Sequence, residues 1–129
     1  MALLVRDNRV YTLALRDTNP GALNGFSLAN SGTYFTETVD VGTFSEGILF
    51  LNMISVTGTN PTLDVKLQYS PDGKNWVDSG DSFTQVTTTV SLTLKKLTAN
   101  FGKYVRCLIA VGGTATPTYK LSLFLALKA

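Results

Sequence analysis

The sequence predicts an all-β protein, an antiparallel β-sandwich or jelly-roll-like barrel of roughly eight strands with an irregular N-terminal segment. Three observations carry this. Apolar and polar residues alternate with the two-residue period of a half-buried strand in several segments. Gly, Pro, Asn and Asp clusters separate those segments at spacings of about 8–12 residues, as in sandwiches and barrels. No stretch carries the apolar stripe of an amphipathic helix.

The clearest element is residues 62–79, TLDVKLQYSPDGKNWVDS. Leu63, Val65, Leu67 and Tyr69 alternate with Asp64, Lys66, Gln68 and Ser70, which gives a strand with one buried face. Ser70-Pro71-Asp72-Gly73 follows as a tight turn. Proline presets φ, aspartate bonds nearby backbone, and glycine accepts positive φ. A second strand then carries Trp76, the single tryptophan. The first expectation for Trp76 is a core plug, since burying so large a ring is strongly favourable. The alternative is a flat platform with Tyr69 and Tyr104 for stacking on a sugar. Pro71, Asp72 and Gly73 sit at a loop tip and are candidate partner contacts.

The remaining elements follow in order. Residues 1–30 read as an N-terminal segment, an edge strand or arm plus a loop. Val10, Thr12 and Ala14 oppose Tyr11, Leu13 and Leu15, and turn signals follow at Asp17-Thr18-Asn19-Pro20-Gly21 and Asn24-Gly25. Residues 31–129 read as a single β-sandwich domain. Phe35, Val39 and Val41 are expected on one side, with Thr36, Thr38 and Asp40 on the other. Residues 48–56 are apolar on both faces: Leu49, Leu51 and Met53 on one, Ile48, Phe50, Ile54 and Val56 on the other. Such a strand is central, or its outer face is covered by another segment or subunit. Thr57-Gly58-Thr59-Asn60-Pro61 is expected to end it. Phe83 and Val86 suit a short edge strand. Val90, Leu92 and Leu94 are expected inward, with a break in parity at Lys96-Leu97. Residues 104–111 form a central strand, and Gly112-Gly113-Thr114-Ala115-Thr116-Pro117 a flexible loop. In the last strand Tyr119, Leu121, Leu123, Leu125 and Leu127 point inward. Phe124 points outward, exposed unless something covers it, and is a further candidate partner contact.

Composition narrows the function. Charged residues make up 16% of the 129, below the roughly 25% of a typical soluble domain, which suits surfaces partly covered by partners. A net charge of +2 is too small for a nucleic-acid face. One cysteine and no histidine exclude an intramolecular disulfide and leave no zinc site. Cys107, inside an apolar run, is expected to be a small buried hydrophobe. Neither a signal-peptide pattern nor a run long enough for a helical membrane span is present, so the expected product is made in the cytoplasm without export. Without histidine the commonest catalytic base is missing, and no enzyme activity or cofactor is expected. Asp64, Asp72, Asp78 and Asp81 cluster in sequence, but their spacing matches no calcium loop. Gly112-Gly113 has no lysine beside it and no helix after it, so it is not a phosphate loop.

The run LxVxLQYSPDGKNWVD, the later FTQVT and FGKYVR, and VGGTATPTY with its apolar alternating tail resemble small β-sandwich virion proteins of tailed bacteriophages and prophages. The resemblance covers about residues 62–128. It implies a head decoration (auxiliary capsid) protein that binds the capsid lattice, or a tail or head–tail connector component. It also implies a major capsid protein or other virion protein as partner, a homo-oligomer (a trimer in the first instance), and assembly into virions in the host cytoplasm. The residues alone leave a carbohydrate-binding or adhesion module as the alternative.

Overall fold

A computed structural model describes residues 8–15, 26–29, 31–87, 92–98 and 102–129. Two strands of 25 residues each, β5 (Glu46–Ser70) and β8 (Tyr104–Lys128), pair antiparallel from Glu46↔Lys128 to Ser70↔Tyr104. On the far side of β8, four short strands pair in succession along its length. These are β1 (Asn8–Leu13), β2 (Phe26–Ala29), β3 (Gly32–Phe35) and β4 (Val39–Asp40). On the far side of β5 lie β6 (Val77–Ser82), a bridge from Val86 to Leu63, and β7 (Leu92–Lys96). The described residues contain no helix.

This antiparallel ribbon folds over at its middle. One half, sheet A, comprises β1, β2, residues 118–128 of β8, residues 46–57 of β5, and β7. The other, sheet B, comprises β3, β4, residues 104–112 of β8, residues 62–70 of β5, and β6. The two halves enclose one hydrophobic core, which is the jelly-roll-like sandwich the alternation predicts.

Two expected breaks are absent. Neither residues 57–61 nor residues 112–117 leave the sheet; they form the corner where both long strands bend. Register shifts fall between Met53 and Ser55, between Thr57 and Thr59, and between Thr59 and Thr62. Gly58, Asn60 and Gly113 take positive φ, at 113°, 47° and 132°. A Cβ on Gly113 would lie 2.8 Å from the Asn60 carbonyl oxygen, so the close approach of the two backbones requires glycine there. Turn residues thus bend a continuous pair instead of ending it.

The shifts cancel across the corner. Met53 pairs with Leu121 and Thr62 with Gly112, the same offset on both sides. Odd-numbered residues of both long strands therefore point inward in both halves, except at residues 55–57, where the shift turns Val56 inward against Tyr119 and away from the face of Ile48 and Phe50 on which it was expected. Leu49, Leu51, Met53, Leu63, Val65 and Leu67 of β5 are buried, as are Val105, Cys107, Ile109, Val111, Tyr119, Leu121, Leu123, Leu125 and Leu127 of β8. At roughly 25 cal/mol per Å² of apolar surface, each such side chain contributes about 1.5–3 kcal/mol. Burial pushes the Cys107 thiol up to about 12, so it is inert as a nucleophile at neutral pH.

Three expected orientations are corrected. Leu92 and Leu94 point outward: they pair with Asn52 and Phe50, which face away from the core, and are 63% and 54% exposed. Phe35 and Thr36 also exchange places. Phe35 opposes Leu108 while Val39 opposes Val105, a one-residue slip between β3 and β4 that reverses the faces. Thr36 is consequently buried, and its hydroxyl accepts the Cys107 amide at 2.8 Å. Trp76, expected in the core, lies outside it. Val90 and the turn signals at 17–21 and 24–25 lie outside the described residues.

Leu121 is fully buried between the halves. The expected outcome for Leu121→Asp is a loss of at least about 3 kcal/mol, from an unpaired charge in the core. Urea denaturation measures it, and a midpoint equal to the parent's would show that the inward parity is wrong.

Candidate functional site

Because odd residues are buried, even residues of β5 and β8 form the outer faces of the sandwich, and the two faces are chemically opposite. The outer face of sheet B is polar and internally bonded. The Arg106 guanidinium lies between two rings, 4.0 Å from the Phe35 centroid and 4.3 Å from the Trp76 centroid. Arg106 Nε donates to Gln68 Oε1 at 2.9 Å, and Gln68 Nε2 donates to Asp78 Oδ1 at 2.9 Å. Lys66 Nζ closes the chain on Asp78 Oδ2 at 2.8 Å. The bonds from Gln68 and Lys66 hold the Asp78 carboxyl below its usual range. This network explains why Trp76 leaves the core: its ring caps a cation on the outer face, half-buried. The sequence signal was available in the spacing. Arg106 was the one charge in an otherwise apolar central strand, and such a charge needs partners.

The outer face of sheet A is apolar in its middle rows and bordered by charges, with Lys96, Glu46 and Lys128 at one end and Lys120 toward the corner. Cross-strand pairs place its side chains in rows, since directly opposed residues share a face. One row is Val10, Ala126, Ile48 and Lys96; the next is Thr12, Phe124, Phe50 and Leu94; a third is Ser122, Asn52 and Leu92. Beyond the first row the face ends in Lys128 and Glu46. Val10 is 69% exposed, and with Leu92 and Leu94 it gives the edges of this face to solvent. A groove of about 390 Å³ runs along its end, lined by Ile48, Ala126, Lys96 and Leu97 among others. The first two rows set Val10, Ala126, Ile48, Phe124, Phe50 and Leu94 next to one another. Phe124, a predicted contact residue, sits half-buried among them, beside Phe50.

The other predicted contact residues lie elsewhere. Pro71 and Asp72 are exposed at the end of sheet B, in a turn held rigidly from within. Ser70 Oγ accepts the amides of Asp72 and Gly73, at 3.2 and 2.7 Å, and donates to Asp72 Oδ1. Asp72 Oδ1 accepts the amides of Lys74 and Asn75 at 2.9 and 2.8 Å, and Oδ2 accepts the Asn75 side-chain amide. Gly73 takes φ of 77°. The turn and Phe124 therefore belong to different halves of the molecule. Nor do the four aspartates converge. Asp64 accepts from Gln85, Asp78 belongs to the network above, and Asp81 accepts both the amide and hydroxyl of Thr98 at 3.0 Å. No group of three metal-ligating side chains forms among the described residues.

No protein-family model and no curated protein matches the sequence. Solved structures do resemble the fold. The SPBc2 prophage-derived protein YomS aligns over 100% of this chain and 99% of its own, with a TM-score of 0.55 and 11% identity. The VP2 subviral particle of infectious bursal disease virus aligns over 94% of this chain with a TM-score of 0.60 and 13% identity, but this covers only 32% of the VP2 chain. Chitosan-binding module 1 of the chitosanase/glucanase from Paenibacillus sp. IK-5 aligns over 94% of both chains, with a TM-score of 0.51 and 20% identity. At these identities the likeness is one of fold. Proteins of viral origin and a carbohydrate-binding module share this sandwich.

The backbone amides of Asn75 and Lys74 hold the Asp72 carboxyl well below its usual value of 3.8. Because the folded value is depressed, the turn's contribution is complete above 3.8 and is lost as the pH falls below it toward the folded value. From pH ~5 down to ~2 the parent's urea midpoint should therefore fall more steeply than that of Asp72→Asn. Parallel acid limbs would contradict the turn's role.

Proposed function

We propose that this protein is a structural component of a phage virion, of the head-decoration kind. It works as a homo-oligomer joined through the outer face of sheet A and presents the turn at residues 70–75 to a larger protein lattice. The observation that carries this reading is the contrast between the two outer faces. On sheet B the charged groups are paired with one another and the rings are stacked on Arg106. On sheet A the rows end in exposed Val10, Leu92 and Leu94 and hold half-buried Ile48, Phe50 and Phe124 between them, apolar surface whose contact with water is unfavourable until another protein covers it. The end-to-end fold match with a prophage-derived protein supports the same reading, as does the sequence resemblance across residues 62–128. Binding of this kind needs complementary shape and no reactive group.

A second reading, a carbohydrate-binding module, is favoured by one observation. Trp76 lies outside the core among Arg106, Gln68 and Asp78, the mixture of aromatic and polar groups that a sugar contacts. The fold of the chitosan-binding module is compatible with it.

The experiment that separates them mixes the purified protein with capsids of the phage whose genome carries its gene. Parallel samples are titrated with chitosan oligosaccharides while tryptophan emission is followed. The expected result is co-sedimentation with capsids, weakened by Asp72→Ala, and unchanged Trp76 emission. Protein left in the supernatant, with saturable emission changes on adding the oligosaccharide, would favour the module reading over the virion one.

A further inference from the structure

We infer that the partner covering sheet A is a second copy of this chain, packed face to face about a two-fold axis that runs parallel to the strands between β5 and β8. The charges at the end of the face select this arrangement. Rotation about that axis lays β5 of one copy over β8 of the other without shifting the rows. Glu46 then meets Lys128 of the partner subunit, and by symmetry Lys128 meets Glu46 of the partner subunit. The same rotation sets Phe50 against Phe124 of the partner subunit and Ala126 against Ile48 of the partner subunit, small against large. At the sides, Val10 meets the aliphatic stem of Lys96 of the partner subunit, whose ammonium reaches solvent at the edge.

Other placements fit less well. An axis across the strands would lay Lys128 over Lys120 of the partner subunit, and Glu46 over the apolar Ile54 of the partner subunit, so like charges would face each other and the carboxylate would lose its counter-charge. Sheets in sandwiches pack about 10 Å apart with strands within roughly 30° of alignment, and the long side chains of Glu46 and Lys128 span that offset. The contact is isologous, each residue facing its counterpart's neighbour, so it closes at two copies. The resemblance implied three; a pair is what this face supports. With strands about 4.8 Å apart and about 3.4 Å per residue, the footprint is roughly 20 by 20 Å. That is roughly 400 Å² per copy, below the size of a stable interface, so the pair is a weak one that dissociates on dilution.

This inference rests on reading sheet A as a protein interface but not on the virion assignment. A pair that ignores every phage particle would leave it standing and remove the assignment. The test is sedimentation velocity of the full chain over a wide concentration range, with Leu94→Lys, Glu46→Lys, Lys128→Glu and an equimolar mixture of the last two. The expected result is a reversible monomer–dimer equilibrium that Leu94→Lys abolishes and that each charge change weakens by about tenfold or more. Mixing the two charge variants should restore pairing, because the hybrid regains both attractive contacts; a change confined to one chain's own stability has no such rescue. Melting curves confirm that each variant is folded, and Leu94 is exposed enough for its replacement to be tolerated. A strict monomer, a trimer, a dimer indifferent to Leu94→Lys, or failure of the mixture to rescue would each overturn the arrangement.

Discussion

The architecture depends on the uninterrupted pairing of β5 with β8 through the corner. Each strand is long enough to serve both halves of the sandwich, and the register shifts at the bend cancel. Had they summed to an odd number, one half would have turned its leucines to solvent, because a one-residue slip exchanges the faces of a strand. Glycine at 58 and 113 and the left-handed Asn60 are what allow the bend without that exchange. The short strands then add to the two free edges of this pair, in reverse order along β8 and along β5.

Fixing odd residues inside also fixes what lies outside. Even positions of residues 62–70 and 104–112 include Lys66, Gln68 and Arg106, which assemble with Asp78, Phe35 and Trp76 into a network complete within one chain. Even positions of residues 46–57 and 118–128 include Ile48, Phe50, Phe124 and Ala126, for which the described residues form no comparable network. One fold thus carries a finished face and an unfinished one.

Much of this was legible in the residues. Alternation marked the inward residues of the long strands correctly, and the doubled apolar pattern of residues 48–56 announced an outer face in need of cover. What escaped was information that only pairing supplies. Leu92 and Leu94 alternate as cleanly as Leu63 and Val65, but period two does not say which side is the core; the register with Phe50 decides it. Phe35 and Thr36 exchanged sides because of a slip between β3 and β4 that no turn residue signals. Gly112-Gly113 and Asn60-Pro61 have the composition of loops, and loop chemistry serves equally to bend a strand that stays paired. Trp76 was assigned by size, whereas Arg106, reaching across β5 from β8, stacks on its ring at the surface.

In the proposed assembly the two outer faces have different fates, the apolar rows of sheet A buried and the polar face of sheet B left open. Hydroxyl-radical footprinting, read residue by residue in the dilute chain and in its assembled form, addresses this directly. The expected result is that oxidation of Phe50, Phe124 and Leu94 falls on assembly while that of Phe35 and Trp76 is unchanged. Protection of Phe35 and Trp76, with Phe50, Phe124 and Leu94 still oxidised, would contradict it.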